Sequence, residues 1–270
     1  MFNISIVLYR PDISQVTGLV TELLHCRRLR RIYLLDNSPS ASEPLAKIDK
    51  KVRYIYNNAN LGYGRAHNIA IRESVYYDTP YHLVMNADII VKAADIDALC
   101  DFMDANPEVG QLMPKVVYPD GSLQYLAKLL PTPFDLFGRR FLPEWMMRRR
   151  TARYELRASG YDRPMNVPYL SGCFMFLRTK AVLQARLFDE RYFMYSEDID
   201  LSRTIHCDWL TLFYPSVTIV HNHARGSYHS LHLLWVHIIN MCRYFNKWGW
   251  IYDPERRFYN RLTLEAISKK

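Results

Sequence analysis

The sequence lacks the features that mark several classes of protein. Its five cysteines include no CxxC pair, and an odd number without regular spacing predicts reduced thiols rather than a secreted disulfide scaffold. No apolar run reaches the roughly 18 residues of a membrane-spanning helix. The opening MFNISIVLYRP predicts a strand, since it has neither the basic start nor the cleavage site of a signal peptide. These absences predict a cytoplasmic protein.

Several ligand-binding motifs are absent as well. The turn at 60–68 has neither the GxGxxG fingerprint nor the lysine of a P-loop, and His221 and His223 have no cysteine or third histidine at zinc spacing. The chain contains no internal repeat and no flexible linker rich in glycine or serine. It therefore predicts one domain followed by a C-terminal helical extension at 228–270.

What is present is typical of an α/β protein. Hydrophobic residues make up 49% of the 270 residues and charged residues 23%, an ordinary globular mixture. Apolar strands are predicted at 4–9, 32–35, 52–56 and 82–85, and they alternate with helical patterns at 13–24, 65–75 and 96–103. This alternation predicts a mostly parallel central sheet with helices on both faces. In such a sheet, ligands bind beyond the carboxyl ends of the strands.

The pattern changes after Pro114. A strand is predicted at 167–177, a short helix at 197–205, and two further strands at 212–214 and 217–220. From 230 to 248 the spacing predicts a helix with an apolar stripe, made of Leu231, Leu234, Trp235, Ile238, Cys242 and Phe245.

The net charge of +8 is unevenly distributed. Residues 137–163 contain eight arginines interleaved with aromatic residues and methionines. Such a segment favours an anionic membrane or a phosphorylated acceptor as a partner, and a solvated, partly helical insertion is the alternative. No nucleic-acid-binding motif accompanies it, so we predict no nucleic-acid partner.

Polar residues end two of the predicted strands. Asp36 follows the strand predicted at 32–35, and Asn86 and Asp88 follow the strand predicted at 82–85. One or two carboxylates are enough to hold Mg²⁺ when the phosphates of a substrate supply other ligands, so Asp88 is a candidate metal ligand. A cap on the following helix is the alternative role for Asp88.

Three acids are crowded at the start of the helix predicted at 197–205. Glu197, Asp198 and Asp200 raise one another's pKa, which favours a metal ion, a proton-transfer role or a cationic partner. An ordinary helix start, with Ser196 as the cap and acids in the first turn, is the alternative.

Two further segments have the residue types of a binding site. His221 and His223 end a predicted strand just before Arg225, which favours a metal or phosphate contact, with a structural role as the alternative. Gly62 and Gly64 open a helix, where they let the backbone approach a ligand and leave N–H groups for an anion. A plain strand-to-helix turn is the alternative there.

The order of these motifs resembles that of the family-2 glycosyltransferases with the GT-A fold, above all the bacterial rhamnosyltransferase-like members of polysaccharide and O-antigen assembly. The resemblance covers about residues 3–227. The matching segments are Asp36-Asn37; Asn60-Leu61-Gly62-Tyr63-Gly64 with Asn68; Asn86-Ala87-Asp88; Ser171-Gly172-Cys173; Phe188-Asp189-Glu190; Phe193-Met194-Tyr195-Ser196-Glu197-Asp198-Ile199-Asp200; and Val220-His221 with Gly226 and Ser227.

This resemblance implies a division of the chain and a role for each motif. A catalytic domain at 1–227 would consist of a nucleotide-sugar-binding half (1–115) and an acceptor half (116–227). Asp198 would be the catalytic base of an inverting reaction, with Glu197 orienting it or the acceptor. Asp88 would bind the Mg²⁺ or Mn²⁺ ion that bridges the donor diphosphate, with His221 as a further ligand. The implied donor-binding residues are Asp36, Asn60, Gly62, Gly64, Arg65, Asn68 and Asn86.

The subgroup also implies substrates. It favours dTDP-L-rhamnose as the donor, with UDP-sugars as the alternative, and a glycan or lipid-linked acceptor. Two departures from the family pattern stand out. Ala87 replaces the commoner proline and leaves Asp88 intact, whereas Arg186 and Leu187 replace the usual Gly-Gly and predict a differently shaped acceptor loop. The segment at 137–163 matches no family motif and is a candidate determinant of acceptor preference.

Other functions and a location can be weighed on the same residues. A sugar-phosphate nucleotidyltransferase needs a glycine-rich N-terminal loop, which residues 8–18 do not supply. A non-catalytic nucleotide-sugar-binding subunit would not require both Asp88 and Asp198.

Peripheral binding to the cytoplasmic face of an anionic membrane is predicted from the apolar stripe at 231–245, Trp248, Trp250 and the arginines. Packing of the stripe on the catalytic domain is the alternative.

Overall fold

The computed structural model describes residues 1–222 and 231–269. The strands are β1 (Phe2–Leu8), β2 (Leu29–Asp36), β3 (Val52–Tyr56), β4 (Tyr81–Met85), β5 (Ile89–Ile90), β6 (Val109–Val117), β7 (Ala127–Lys128), β8 (Met165–Asn166), β9 (Tyr169–Leu170), β10 (Phe174–Arg178) and β11 (Leu210–His221). The helices are α1 (Ile13–Leu23), α2 (Tyr63–Tyr76), α3 (Ala93–Ala105), α4 (Pro133–Phe141), α5 (Glu144–Tyr154), α6 (Thr179–Gln184), α7 (Glu197–His206), α8 (Leu231–Trp248) and α9 (Pro254–Ser268). Short 3₁₀ helices occupy Glu43–Lys47 and Arg157–Ser159.

One large sheet organises the protein, in the order β3-β2-β1-β4-β10-β6-β11-β5, and β8 pairs with β11. Strands β1 to β4 run parallel, and β11 runs parallel to β6. Strand β10 lies antiparallel between β4 and β6, so the later part of the chain completes the sheet begun by the earlier part. The predicted α/β class with a mostly parallel central sheet is confirmed.

Helices cover both faces of this sheet because alternate strand residues point to opposite sides. In β2, Ile32 and Leu34 pack in the cluster that contains the buried side of α1. Tyr33 and Leu35 pack on the other side, against Ala66 and its neighbours in α2. The predicted layers of helix, sheet and helix therefore follow from apolar residues at successive positions of each strand.

Helix α1 illustrates how local sequence sets an element. Asp12 caps its N-terminus by accepting a hydrogen bond from the Gln15 N–H at 3.1 Å. Its buried residues recur at helical spacing and are Val16, Leu19, Val20 and Leu23. The apolar stripe fixes which side of α1 meets the sheet.

The C-terminal helices are held to α7 by buried charges. Arg203 in α7 donates to both carboxylate oxygens of Asp253 at 2.7 Å, and its guanidinium lies 4.0 Å from the ring centroid of Trp248. Asp200 accepts from Lys247 Nζ at 2.8 Å and from the Trp248 indole N–H at 2.6 Å. Helices α8 and α9 are thereby fixed to the helix that begins with Glu197. The predicted boundary between 227 and 228 lies outside the described residues and stays a prediction.

Three predicted strands differ from those observed. The strand predicted at 167–177 is interrupted between β9 and β10, since the backbone of Gly172 and Cys173 bonds to Asp198 and Asn86 instead of to a neighbouring strand. The strands predicted at 212–214 and 217–220 are one strand, β11, whose register shifts after Tyr214. Pro215 explains that shift because it has no N–H to donate to the sheet.

The arginine-rich segment folds as a helical hairpin of α4 and α5. Thr132 and Asp135 form a capping box at the start of α4.

The predicted apolar stripe in α8 is only partly buried. Phe245 packs in the interior, whereas Trp235 is 63% exposed to solvent. None of the described helices is both long and apolar enough to cross a membrane.

Candidate active site

The carboxyl end of β2 places Asp36 in the interior. Its two carboxylate oxygens accept hydrogen bonds from the Ser38 N–H at 2.8 Å and from the Tyr54 hydroxyl at 2.6 Å. Asp36 is fully buried, and the neighbouring Asn37 donates to the carbonyl of Gly62 at 3.1 Å. These contacts join the end of β2 to the turn that opens α2.

Both glycines of that turn are needed because another part of this chain lies close to them. Gly62 has φ +82°, and a Cβ there would lie 2.2 Å from the carbonyl oxygen of Phe193. A Cβ on Gly64 would lie 2.8 Å from the Cβ of Phe188. The Tyr63 N–H donates to the Phe193 carbonyl at 2.9 Å. The turn therefore binds the segment that precedes α7.

Asn68 and Arg65 contact the same segment. The Asn68 side chain is buried, accepts from the Phe188 N–H at 3.0 Å and donates to the Phe188 carbonyl at 2.9 Å. Arg65 is more exposed and lies 3.6 Å from a carboxylate oxygen of Glu190. Asn60 accepts from the Gly62 N–H at 3.2 Å, which shapes the turn itself.

The segment after β4 meets the end of β11. Asp88 Oδ1 lies 3.3 Å from His221 Nε2, and the Nδ2 of Asn86 lies 3.4 Å from the same ring nitrogen. Gln124 holds the other side of the ring: its Oε1 is 3.0 Å from His221 Nδ1, and its Nε2 donates to the His221 carbonyl at 2.8 Å. Asp88 remains partly exposed, whereas His221 is buried.

The charge on His221 depends on Asp88. Burial disfavours the charged ring, but hydrogen bonds with Asp88 and Cys173 outweigh it and raise the pKa of His221 to about 10. Within residues 1–222 and 231–269, no group of three His, Cys, Asp or Glu side chains could hold a metal ion. The described site thus offers one carboxylate and one imidazole side by side.

Asp198 lies at the first turn of α7 and accepts three hydrogen bonds. The donors are the Gly172 N–H at 2.9 Å, the Tyr169 hydroxyl at 3.1 Å and the Ile199 N–H at 2.9 Å. Burial raises the pKa of the Asp198 carboxyl, and these hydrogen bonds and the charge of Lys128 oppose the rise. Asp198 as a whole residue is partly exposed.

The neighbouring Glu197 has a different environment. Its side chain is buried, and its Oε2 makes no hydrogen bond to any residue that the structure describes. Burial, followed by the charge of Asp198, raises the pKa of Glu197 well above its ordinary value. Of the two, Asp198 carries the negative charge, because it has the donors that stabilise an anion.

Gly172 and Tyr63 connect the two groups of acids. Gly172 donates its N–H to Asp198, and its carbonyl accepts from the Tyr63 hydroxyl at 2.6 Å. That hydroxyl lies 3.1 Å from the side-chain oxygen of Asn86, two residues before Asp88. Gly172 and Tyr63 therefore link the predicted base to Asn86, close in sequence to the predicted metal ligand.

The sequence does not predict two residues that complete this site. Gln124 is 97 positions from His221, and no local pattern marks it, since its contact depends on the folded sheet. Tyr169 stands two residues before Ser171-Gly172, and its nearness to that motif is the one available signal. His223, Arg225, Gly226 and Ser227 lie outside the described residues.

A mostly parallel sheet between two layers of helices, with polar residues at the carboxyl ends of its strands, is the arrangement of the GT-A fold. The chain belongs to glycosyl transferase family 2, whose family model matches residues 26–184. It is 32% identical over 234 residues to the N-acetylglucosaminyl-diphospho-decaprenol L-rhamnosyltransferase of two Mycobacterium tuberculosis strains, CDC 1551 / Oshkosh and H37Rv, covering 82% of this chain and 76% of each relative.

Solved structures confirm the fold. The chain is similar to GalNAc-T7 with UDP, GalNAc and Mn²⁺, with a TM-score of 0.64 at 14% identity over 92% of this chain, and it spans 48% of that protein. It is also similar to the mannosyltransferase PcManGT from Pyrobaculum calidifontis in complex with GDP-Man and Mn²⁺, with a TM-score of 0.58 at 13% identity over 99% of this chain and 74% of the other. The prediction of a family-2 glycosyltransferase with the GT-A fold is confirmed.

Proposed function

We propose that this enzyme transfers L-rhamnose from dTDP-L-rhamnose, with inversion, to an N-acetylglucosamine carried on a lipid diphosphate. The acceptor class is suggested by the relative that is 32% identical, whose name describes that acceptor and that sugar. The reaction would take place at the cytoplasmic face of a bacterial membrane, during surface polysaccharide synthesis.

One observation carries the proposal: a chain of hydrogen bonds runs from Asp198 to Asn86, which stands two residues before Asp88. Gly172 bonds to Asp198, and Tyr63 bonds to Gly172 and lies beside Asn86, which precedes Asp88. An inverting transfer needs a base on the acceptor side and a stabilised leaving group on the donor side. Fixing Asp198 relative to the segment that carries Asp88 favours that separation of tasks.

The chemistry assigned to Asp198 is proton removal. Its carboxylate takes the proton of an acceptor hydroxyl as that oxygen forms a bond to the anomeric carbon of the donor. The bond between the anomeric carbon and the diphosphate oxygen breaks at the same time, and the nucleoside diphosphate leaves from the opposite face. The raised pKa of Asp198 makes it a better base than an ordinary aspartate.

Asp88 and His221 suit a divalent ion. The raised pKa of about 10 keeps His221 protonated in the absence of an ion, so an incoming ion would have to displace the proton on Nε2. The side-chain oxygen of Gln124 can hold the other proton on Nδ1, which leaves Nε2 of the neutral ring directed toward the carboxylate of Asp88. Two protein ligands suit Mg²⁺ or Mn²⁺ when diphosphate oxygens complete the coordination. When bound, the ion neutralises the diphosphate and stabilises the departing nucleoside diphosphate.

The remaining predicted residues form the donor side of this proposal. Buried Asp36 and the packed glycines Gly62 and Gly64 would support the nucleoside site without direct contact, Asn60 would shape the turn there, and Asn86 would contact the diphosphate region. Buried Asn68 would act indirectly by holding Phe188, and Arg65 would remain close enough to reach the donor.

The proposed location rests on exposed apolar side chains. Trp145 is 78% exposed and Ile251 is 84% exposed. Phe137 of α4 stacks on Trp250 with ring centroids 6.2 Å apart, which brings the α4–α5 hairpin to the turn between α8 and α9. A groove of about 530 Å³ nearby is lined in part by Arg153, Arg257 and Arg261. Aromatic side chains beside arginines suit an anionic bilayer surface.

A transfer assay tests the proposed function. The purified chain is given dTDP-L-rhamnose or UDP-sugars, a synthetic N-acetylglucosaminyl diphosphate lipid, and Mg²⁺, Mn²⁺ or EDTA. We expect rhamnosyl transfer that is lost in EDTA and in Asp88→Asn, with an inverted anomeric centre in the product by NMR. Transfer only from a UDP-sugar, undiminished turnover in EDTA, or a retained configuration would each contradict one part of the proposal.

A further inference from the structure

Lys128 lies one side chain away from Asp198. It stands in β7, where it is paired with Tyr169 of β9. Its ammonium nitrogen is 5.4 Å from the centroid of the Tyr169 ring and 6.0 Å from that of Tyr154. Since the Tyr169 hydroxyl donates to Asp198, the ammonium group is on the side of the site that holds the base.

Lys128 interacts electrostatically with Glu155 and Asp198 but forms a direct ion pair with neither. It makes no ion pair with any carboxylate in the part of the chain that the structure describes, although its side chain is partly buried. Lysines in such surroundings are normally paired. Burial is the main cause that lowers the pKa of Lys128 to about 8, and the positive charge of Arg139 adds to the effect.

A second cation lies on the same tyrosine. The guanidinium of Arg139 is 5.3 Å from the centroid of the Tyr154 ring and forms an ion pair with Glu155 at 2.9 Å. Glu155 is also paired with Arg157 at 2.7 Å, so two arginines share one carboxylate. Lys128 and Arg139 therefore place two cationic groups against the ring of Tyr154.

We propose that Lys128 and Arg139 bind the diphosphate of the lipid-linked acceptor. The inference rests on the proposed function, in which that diphosphate is attached to the very sugar whose hydroxyl Asp198 deprotonates. The diphosphate must then lie within one sugar ring of Asp198, where Lys128 supplies an ammonium group that has no direct ion pair among the described residues. A lysine binds phosphate as a point charge, and an arginine adds directed N–H donors.

The test compares two acceptors with wild-type enzyme, Lys128→Gln and Lys128→Arg. One acceptor is the N-acetylglucosaminyl diphosphate lipid, and the other is an uncharged alkyl glycoside of N-acetylglucosamine. We expect Lys128→Gln to raise KM for the diphosphate acceptor roughly 10-fold to 100-fold and to leave KM for the glycoside unchanged, because it loses a charged contact. Lys128→Arg should retain most of the preference, and Lys180→Gln on exposed α6 is the matched control.

The pH dependence supplies a further measurement. The charged or titratable groups around Lys128 are Arg139, Glu155, Asp198, Cys173, Tyr154 and Tyr169. Because the ammonium form is the one that binds phosphate, wild-type KM for the diphosphate acceptor should rise above about pH 8. In Lys128→Arg this rise should disappear, since a guanidinium keeps its charge.

Equilibrium binding separates this proposal from the donor assignment. Titration of the diphosphate acceptor and of dTDP, each without a second substrate, should show weaker acceptor binding and unchanged dTDP binding in Lys128→Gln. That result supports the proposal even if the wild type transfers a sugar other than rhamnose. Equal wild-type affinity for the two acceptors, or a loss of dTDP affinity in Lys128→Gln, would overturn it.

Discussion

Glu197 and Asp198 are adjacent in sequence, yet the fold gives them opposite properties. Three donors surround the carboxylate of Asp198, and one oxygen of Glu197 has no partner among the described residues. A buried carboxyl with one oxygen lacking a donor favours the protonated form. Proximity to the motif therefore does not make the two acids equivalent, and the hydrogen bonds assign the negative charge to Asp198.

Replacing each acid by its amide should separate them. Asp198→Asn should lower kcat about 10²-fold to 10⁴-fold, the usual contribution of a general base, with little change in dTDP affinity. Glu197→Gln should keep most of the activity, because the amide resembles the protonated acid already present. Steady-state kinetics with the diphosphate acceptor measures both variants.

The dependence of kcat on pH also tests the role of Asp198 as the base. Since the pKa of Asp198 is raised and the ionised form acts as the base, wild-type kcat should fall as the pH drops through that raised pKa. Full activity in Asp198→Asn, or a Glu197→Gln variant that is as impaired as Asp198→Asn, would show that the assignment of the base is wrong.

The loop between α6 and α7 is built with unusual backbone angles. Arg186 and Leu187 have φ values of 63° and 64°, and Tyr195 and Ser196 have values of 67° and 65°. This left-handed region favours glycine, which explains why the family pattern has Gly-Gly at the first two positions. Arg186 and Leu187 adopt the conformation without glycine, at a cost in free energy.

Restoring one glycine should stabilise the protein. Exposed Arg186 in the left-handed region costs roughly 1–2 kcal/mol, and the greater freedom of glycine in the unfolded chain offsets about half of that gain. Arg186→Gly should therefore raise the free energy of unfolding by about 0.5–1 kcal/mol. Thermal unfolding followed by circular dichroism measures the change.

A glycine placed elsewhere provides the comparison. Lys180→Gly in α6, where the backbone is right-handed, should lower the free energy of unfolding by about 1 kcal/mol. If Arg186→Gly destabilised the protein as much as Lys180→Gly, the left-handed strain would not be the controlling effect.

These elements also show what the sequence can predict. Strands β1 to β4 and helices α1 to α3 follow from patterns of apolar residues, and their observed bounds differ from the predicted ones by a few residues. Contacts between distant segments are different in kind. No pattern around Gln124 or Lys128 reveals that they lie beside His221 and Tyr169, because those distances are set by how β6, β7, β9 and β11 are arranged.

Across the molecule, the exposed aromatic side chains and arginines predict reversible binding to anionic membranes. Wild-type protein should float with vesicles that contain anionic lipid at low salt, and the bound fraction should fall at high salt. Replacing Trp145 and Ile251 by aspartate should lower the binding constant about tenfold or more, since each loses apolar contact with the bilayer. Liposome flotation measures the fraction bound.

An exposed aromatic residue elsewhere serves as the control. Tyr76 in α2 is 82% exposed, and Tyr76→Asp should bind vesicles as the wild type does. Absence of wild-type flotation at low salt would contradict the proposed membrane surface. If Tyr76→Asp lost as much vesicle binding as the variant with aspartate at Trp145 and Ile251, binding would depend on charge alone.

The contact between the turn at Gly62 and the segment around Phe193 has a consequence for recombination within the family. Consider a chimera that takes the turn at 60–68 from one relative and the segment at 188–198 from another. Its two backbone segments would come from different proteins, and their shapes would not be complementary. At Gly62 even one methyl group would lie 2.2 Å from the Phe193 oxygen. The side chain of Asn68 must also accept a hydrogen bond from the Phe188 N–H and donate one to the Phe188 carbonyl. Donor preference should therefore be transferable between relatives only when 60–68 and 188–198 are exchanged as a single cassette.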